Sequence, residues 1–125
     1  MKAKFLALAL ALAFGLALSA PQAFAQNYPT RAITVVVPYA AGGNTDVVGR
    51  IVAEHMSKVL GQQLVIENVA GAGGTTGSAR AAKAEPNGYT ILVGQMGTHA
   101  ASVGLYPKLA YDPVNDFEHI SQLSD

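Results

Sequence analysis

The feature that most constrains this chain is an order that recurs three times: an apolar run, a loop containing glycine, then a stretch of helical periodicity. Ala32-Ile-Thr-Val-Val-Val37 is rich in β-branched residues, and Pro38, which has no N–H for a ladder, ends it. A small loop from Tyr39 to Asn44 leads into a helix expected from about Thr45 to Leu60. Val48, Ile51, Val52, His55 and Val59 fall at helical spacing and predict the packing face. Glu54 and Lys58 form an i,i+4 pair on the other face, and Gly61 is placed to close the helix. The second round has a strand at Leu64-Val-Ile-Glu67, a loop from Ala70 to Gly77 and a helix from about Ser78 to Ala84. Glu85-Pro86-Asn87-Gly88 is turn chemistry. The third has a strand at Tyr89 to Val93, the loop Gly94-Gln-Met-Gly97 and a helical stretch from Thr98 or His99 to Tyr106. Phe117, His119, Ile120 and Leu123 alternate with polar residues and predict a last strand.

Runs that are apolar throughout suit strands covered on both faces, as in parallel sheets. Helices between such strands imply right-handed crossovers, so the fold class is α/β with a parallel, doubly wound sheet. Loops at the carboxyl ends of the strands then line one edge, where open α/β sheets bind ligands.

The first residues point to a compartment. Met1-Lys-Ala-Lys4 is positive, Phe5 to Leu18 is apolar, and Ala23-Phe24-Ala25 offers small residues at the positions a signal peptidase reads. The apolar run is shorter than the ~20 residues a spanning helix needs. Residues 1–25 therefore read as a secretory signal cleaved after Ala25, giving a mature chain from Gln26 and a periplasmic location. The chain has no cysteine, so it carries no lipobox and no disulfide framework. Without Lys2 and Lys4, six Lys or Arg face eight Asp or Glu. A slightly acidic chain without a basic patch argues against nucleic acid as a partner. Nothing resembling a closing helix follows the last apolar alternation, so residues 26–125 are expected to be part of a longer protein.

Three loops are candidates for chemistry. In Pro38-Tyr39-Ala40-Ala41-Gly42-Gly43-Asn44-Thr45-Asp46, two glycines let the backbone approach a ligand, and a helix start favours an anion. Asn44 or Thr45 can cap that helix, and Asp46 suits its first turn. A tight turn before a capped helix explains the same residues, and the sequence leaves both readings open. Gly71-Ala72-Gly73-Gly74-Thr75-Thr76-Gly77 fails as a dinucleotide fingerprint, because Thr76 stands where the last glycine is needed. No Gly-Lys-Ser/Thr follows, so it is not a Walker A loop, and a backbone-donating loop or a plain glycine turn remains. After Gly97, Thr98 and His99 could donate to a carboxylate or simply cap a helix. The three histidines lack close metal-ligand spacing, and no G-x-S-x-G elbow is present. Neither catalytic residues nor a metal nor a cofactor is expected, and the chain does not read as an enzyme.

From Tyr28 onward the sequence resembles the solute receptors of tripartite tricarboxylate transporters, the Bug-type extracytoplasmic receptors. The resemblance rests on a series in order: Tyr28-Pro29, the loop Pro38-Tyr39 to Gly42-Gly43 and Asp46, then Gly71-Ala72-Gly73-Gly74. Pro86-Asn87-Gly88-Tyr89-Thr90, Gly97-Thr98-His99, Leu105-Tyr106-Pro107-Lys108-Leu109, Tyr111-Asp112-Pro113 and Asp116-Phe117 continue it. Three positions depart from the family pattern. Ala41 and Ala110 stand where proline is common, and Val69-Ala70 where Arg-Pro is common, which removes a cation near the second loop.

The resemblance implies a two-lobed periplasmic binding protein of type II character, with this chain supplying the front of lobe 1 and the second lobe lying beyond it. It implies a small carboxylate as ligand, held by loop backbone groups and bridging waters, and delivery to membrane permease subunits. By position the ligand-binding role falls on Tyr39, Gly42, Gly43 and Asp46, and on Gly97, Thr98 and His99. A periplasmic sensor docking on a signalling partner would use the same lobes, and an α/β nucleotide enzyme is the remaining alternative.

Overall fold

The computed structural model describes residues 27–124; the signal assigned to residues 1–25 lies outside the described residues. Three parallel strands form one sheet. β1 is Ile33–Val37, β2 is Leu64–Asn68 and β3 is Thr90–Leu92, in the spatial order β2-β1-β3. Ile33 pairs with Leu64 and Val37 with Asn68 on one side, while Thr34 pairs with Thr90 and Val36 with Leu92 on the other. β1 is central, and Ile33, Val35, Val36 and Val37 are all buried. Residues apolar on both faces are what a strand between two helical layers requires.

Helix α1 is Asn44–Leu60 and helix α2 is Thr75–Ala82. α1 packs over β1 and β2, whereas α2 packs over β1 and β3. One crossover runs from β1 to β2 and the next runs back from β2 across β1 to β3, and the right-handed rule for parallel strands then puts the two helices on opposite faces of the sheet. This is the doubly wound α/β arrangement expected. After β3 the backbone forms a π-type turn at Gly97–Ala101 and a short helix α3, Ser102–Leu105. Among the described residues, no helix is long and apolar enough to cross a membrane.

Several expectations need correction. The face of α1 turned to the sheet is not the one formed by Val48, Ile51, Val52, His55 and Val59. Its buried positions are Asp46, Gly49 and Ala53, while Ile51, His55 and Val59 are exposed, Val59 at 84%. Closeness explains the choice: a Cβ on Gly49 would meet Val37 Cγ2 at 3.3 Å, so only small residues fit there. α1 begins from Gly43 in an extended conformation with no side-chain cap, not from a capping Asn44 or Thr45. It ends as expected, with Gly61 left-handed at φ 67° and its N–H bonded to Ser57 O.

α2 starts three residues before the expected Ser78, so Thr75, Thr76 and Gly77 are helical and not loop. The expected last strand around Phe117 does not form, and residues 117–124 carry no ladder. Alternation orients side chains to two sides, but a strand also needs a neighbour at ladder distance. Here a groove of about 1010 Å³ separates the edge of β3 from Phe117–Ile120. Phe117 is drawn instead against the rings of His99 and Tyr111, at 5.2 and 5.9 Å between centroids.

Candidate functional site at the carboxyl ends of the strands

The strand order reverses at β1. The chain leaves β1 towards β2 and leaves β2 towards the far side of β1; at such a switch point open α/β sheets hold ligands in a crevice between neighbouring loops, here those after β1 and β3. The first of these loops holds Tyr39, Gly42 and Gly43, and the second leads into Gly97, Thr98 and His99. Two groups of candidates far apart in sequence thus meet at one place.

The first loop is framed from below by Asp46, which is only 2% exposed. Its Oδ2 accepts the Gly42 N–H at 2.7 Å and the Arg50 Nε–H at 2.9 Å. Its Oδ1 accepts an Asn68 Nδ2–H at 2.9 Å. Asn68 uses its other N–H on the Tyr39 carbonyl at 3.1 Å, and its Oδ1 accepts Arg50 Nη2 at 3.1 Å. The hydrogen bond from Arg50, then those from Gly42 and Asn68, hold the Asp46 carboxyl at about 2, below its ordinary 3.8. Asp46 is therefore ionised in the folded chain, with its oxygens spent on the loop and its charge matched to the start of α1. It supports the rim from behind.

Gly42 and Gly43 are the rim, and both are exposed. A Cβ on Gly42 would meet nothing within 4 Å, and one on Gly43 only Ala40 O at 3.5 Å. Since α1 has no side-chain cap, its first-turn amides are left for another acceptor. The rim also carries no Lys or Arg, so any anion here is met by backbone dipoles.

Tyr39 links all three loops. Its hydroxyl and Cζ lie where Cβ atoms on Gly74 would stand off by only 3.0 Å, and its hydroxyl would be 3.3 Å from a Cβ on Gly97. That hydroxyl is buried and has no hydrogen-bond partner. The second loop is held further by Tyr106, whose hydroxyl donates to Ala72 O at 2.9 Å.

On the opposite wall, Thr98 is 0% exposed. Its Oγ1 accepts the Gln95 N–H at 3.1 Å and donates to Gln95 O at 3.0 Å, closing the turn after β3. Its carbonyl accepts from Ser102 Oγ and from the Tyr111 hydroxyl, at 2.7 and 2.6 Å. Thr98 therefore shapes the wall from inside, while Gly97 and half-buried His99 reach its surface. The His99 ring packs on the backbone of Gly94, with Nδ1 2.9 Å from Thr98 Oγ1. Burial, and then the neighbouring His119, lower the His99 pKa from its ordinary value. A neutral imidazole at neutral pH adds no cation to the crevice. Among the described residues, no group of three or more His, Cys, Asp or Glu could hold a metal.

Sequence reasoning singled out the rim and Asp46 as ligand-binding, and missed Arg50 and Asn68, which join Asp46 in the frame. Arg50 was within reach, since Asp46 and Arg50 stand at the i,i+4 spacing of a helix pair. Asn68 had no local signal, and neither did Tyr106, which braces the second loop.

The profile described as the tripartite tricarboxylate transporter family receptor matches residues 48–125. The chain belongs to this family. Among curated relatives, a protein from the TAR-I ttuE-ttuC' intergenic region of Agrobacterium vitis is 48% identical over 99 residues. That match takes in 79% of this chain and 28% of the relative. MatC from Rhodopseudomonas palustris, solved with bound malate, is 54% identical with a TM-score of 0.70, covering 72% of this chain and 31% of MatC. The periplasmic binding protein BugD is 43% identical with a TM-score of 0.66, covering 73% of this chain and 30% of BugD. The chain thus spans less than a third of the length of these three proteins, and its fold is that of Bug-type receptors.

Proposed function

We propose that this chain forms part of one lobe of a periplasmic receptor that binds a small carboxylate and passes it to the permease subunits of a tripartite tricarboxylate-type transporter. The observation that supports the reading is the start of α1, which has no side-chain cap and follows the open glycines Gly42 and Gly43, while Tyr39 of the same loop reaches Gly97 after β3. Amides held in place before the ligand arrives need little reorganisation to accept a carboxylate, and ordered water can extend their reach. That MatC holds malate supports a carboxylate as the ligand class. Closure would come from a second lobe, since a pocket buries most of a small ligand and this crevice alone is open. Export through the signal at residues 1–25 would bring the receptor to the periplasm.

The test is calorimetry on the receptor carrying both lobes, with malate, succinate and citrate as probes. Binding of at least one is expected, and failure of the whole panel would overturn the reading. Gly43→Val should weaken that binding tenfold or more with little change in Tm. Gly43 has φ −75° and ψ 167°, which valine adopts readily, so lost affinity would report lost access. Unchanged affinity would reduce the loop to a turn.

A further inference from the structure

Asn68 stands at the end of β2, yet its side chain commits both N–H donors and its oxygen to the first loop and its frame. One Nδ2 proton goes to Tyr39 O, the other to Asp46 Oδ1, and Oδ1 accepts from Arg50. The bond to Tyr39 O has a geometric consequence. Among the described residues the only cis peptide precedes Pro29, so the 39–40 peptide is trans, and its C=O and N–H point in opposite directions. β2 lies on one side of β1 and β3 on the other. With the Tyr39 carbonyl drawn to Asn68, the N–H of exposed Ala40 points away from Asn68 and from the Asp46–Arg50 frame.

We propose that Asn68 is a positioning residue that aims the Ala40 amide into the crevice as a donor to the ligand carboxylate or its bridging water. This rests on the carboxylate-receptor reading above and adds a donor and the residue that orients it. The chemistry is specific to an amide side chain. An aspartate at 68 would accept from Arg50 but could not donate to Tyr39 O. Its charge would repel that carbonyl, and the 39–40 peptide would be free to turn over, presenting a carbonyl to an anion.

A swap separates this role from simple support. Asn68→Asp alone should lower both Tm and affinity, because it also loses the donor to Asp46. Combining it with Asp46→Asn restores a donor–acceptor pair between positions 46 and 68 and keeps one carboxylate beside Arg50. In the two-lobed receptor the swap should recover most of the Tm while affinity stays tenfold or more below wild type. The probe is whichever of malate, succinate and citrate the wild type binds most tightly. A swap that recovers both Tm and affinity overturns the proposal. If the Tm does not recover, the Ala40 amide resonance of the wild type decides. Saturation with the probe should move that proton strongly downfield, and an unmoved resonance overturns the proposal. A wild type that binds none of the three probes would instead sink the receptor reading itself.

Discussion

The first and second glycine loops look alike in sequence and are opposites in the fold. Around Gly42 and Gly43 the space a side chain would fill is empty or ordinary. In the second loop it is already taken. A Cβ would come within 2.8 Å of Thr76 Oγ1 at Gly71 and 2.7 Å of Thr98 Cγ2 at Gly74, and, in the first turn of α2 that follows, 2.6 Å of Val69 O at Gly77. Glycine in the first loop leaves room for something that arrives later. In the second it admits neighbours that are present throughout. Glycine content marks both loops, but only the surroundings tell access from packing.

The contrast is sharpest at Gly77, where α2 rests on the backbone of Pro38 and Val69. Rigid backbone cannot yield as a side chain can. Gly77→Val should cost on the order of 3 kcal/mol, in the upper range for overpacking. Chemical denaturation checks it, and a variant as stable as wild type would erase the difference between the loops. A smaller effect separates the two glycines of the rim. Gly42 sits at φ 85°, so Gly42→Ala should lose roughly 1 kcal/mol to backbone strain alone. Gly43→Ala, in an extended conformation, should change stability by less than about 0.5 kcal/mol. Equal losses at both positions would mean that crowding, not φ, governs this loop.

The order of strands, loops and helices was legible because β-branched runs and glycine stops are local signals. Which face of α1 would pack was not. Counting apolar residues favoured Ile51 and Val59, whereas the approach of the sheet selected Gly49 and Ala53 for being small. The start of α2 was misplaced for the same reason, since Gly77 was read as loop punctuation when its value lies in closeness to Pro38. The last strand was expected from an alternation that says nothing about a partner. In the site, the rim and Asp46 were legible and Asn68 was not, because it reaches Tyr39 and Asp46 across 29 and 22 residues of chain. Thr98 was marked as a donor to ligand by its place in a motif, and the structure shows its hydroxyl already committed to Gln95.

The smallest expected effect concerns the walls of the crevice. His99 has a folded pKa below its ordinary 6.5, through burial first and His119 second. The unfolded chain thus takes up this proton more readily. The His99 contribution to stability is complete above about pH 6.5 and falls away as the pH drops through the lowered folded value. Asp46 acts in a separate, more acidic window, losing its contribution as the pH falls from about 3.8 through about 2. Denaturation midpoints recorded from pH 7.5 to 5 should show a shallow decline that His99→Gln removes. A decline that persists in that variant would assign the acid sensitivity elsewhere.

Among the described residues β1 is paired along both sides, whereas β2 and β3 are each paired only to β1. Fluctuations that open a sheet begin at strands held by a single neighbour. In hydrogen exchange the amides of Val35 to Val37 should therefore be the slowest, trading protons only when the whole domain opens, while Thr90 and Leu92 exchange early. If the exchange rates follow that order, the rim grows out of the slower strand and the His99 wall out of the faster one, so that the two sides of the crevice would keep different lifetimes.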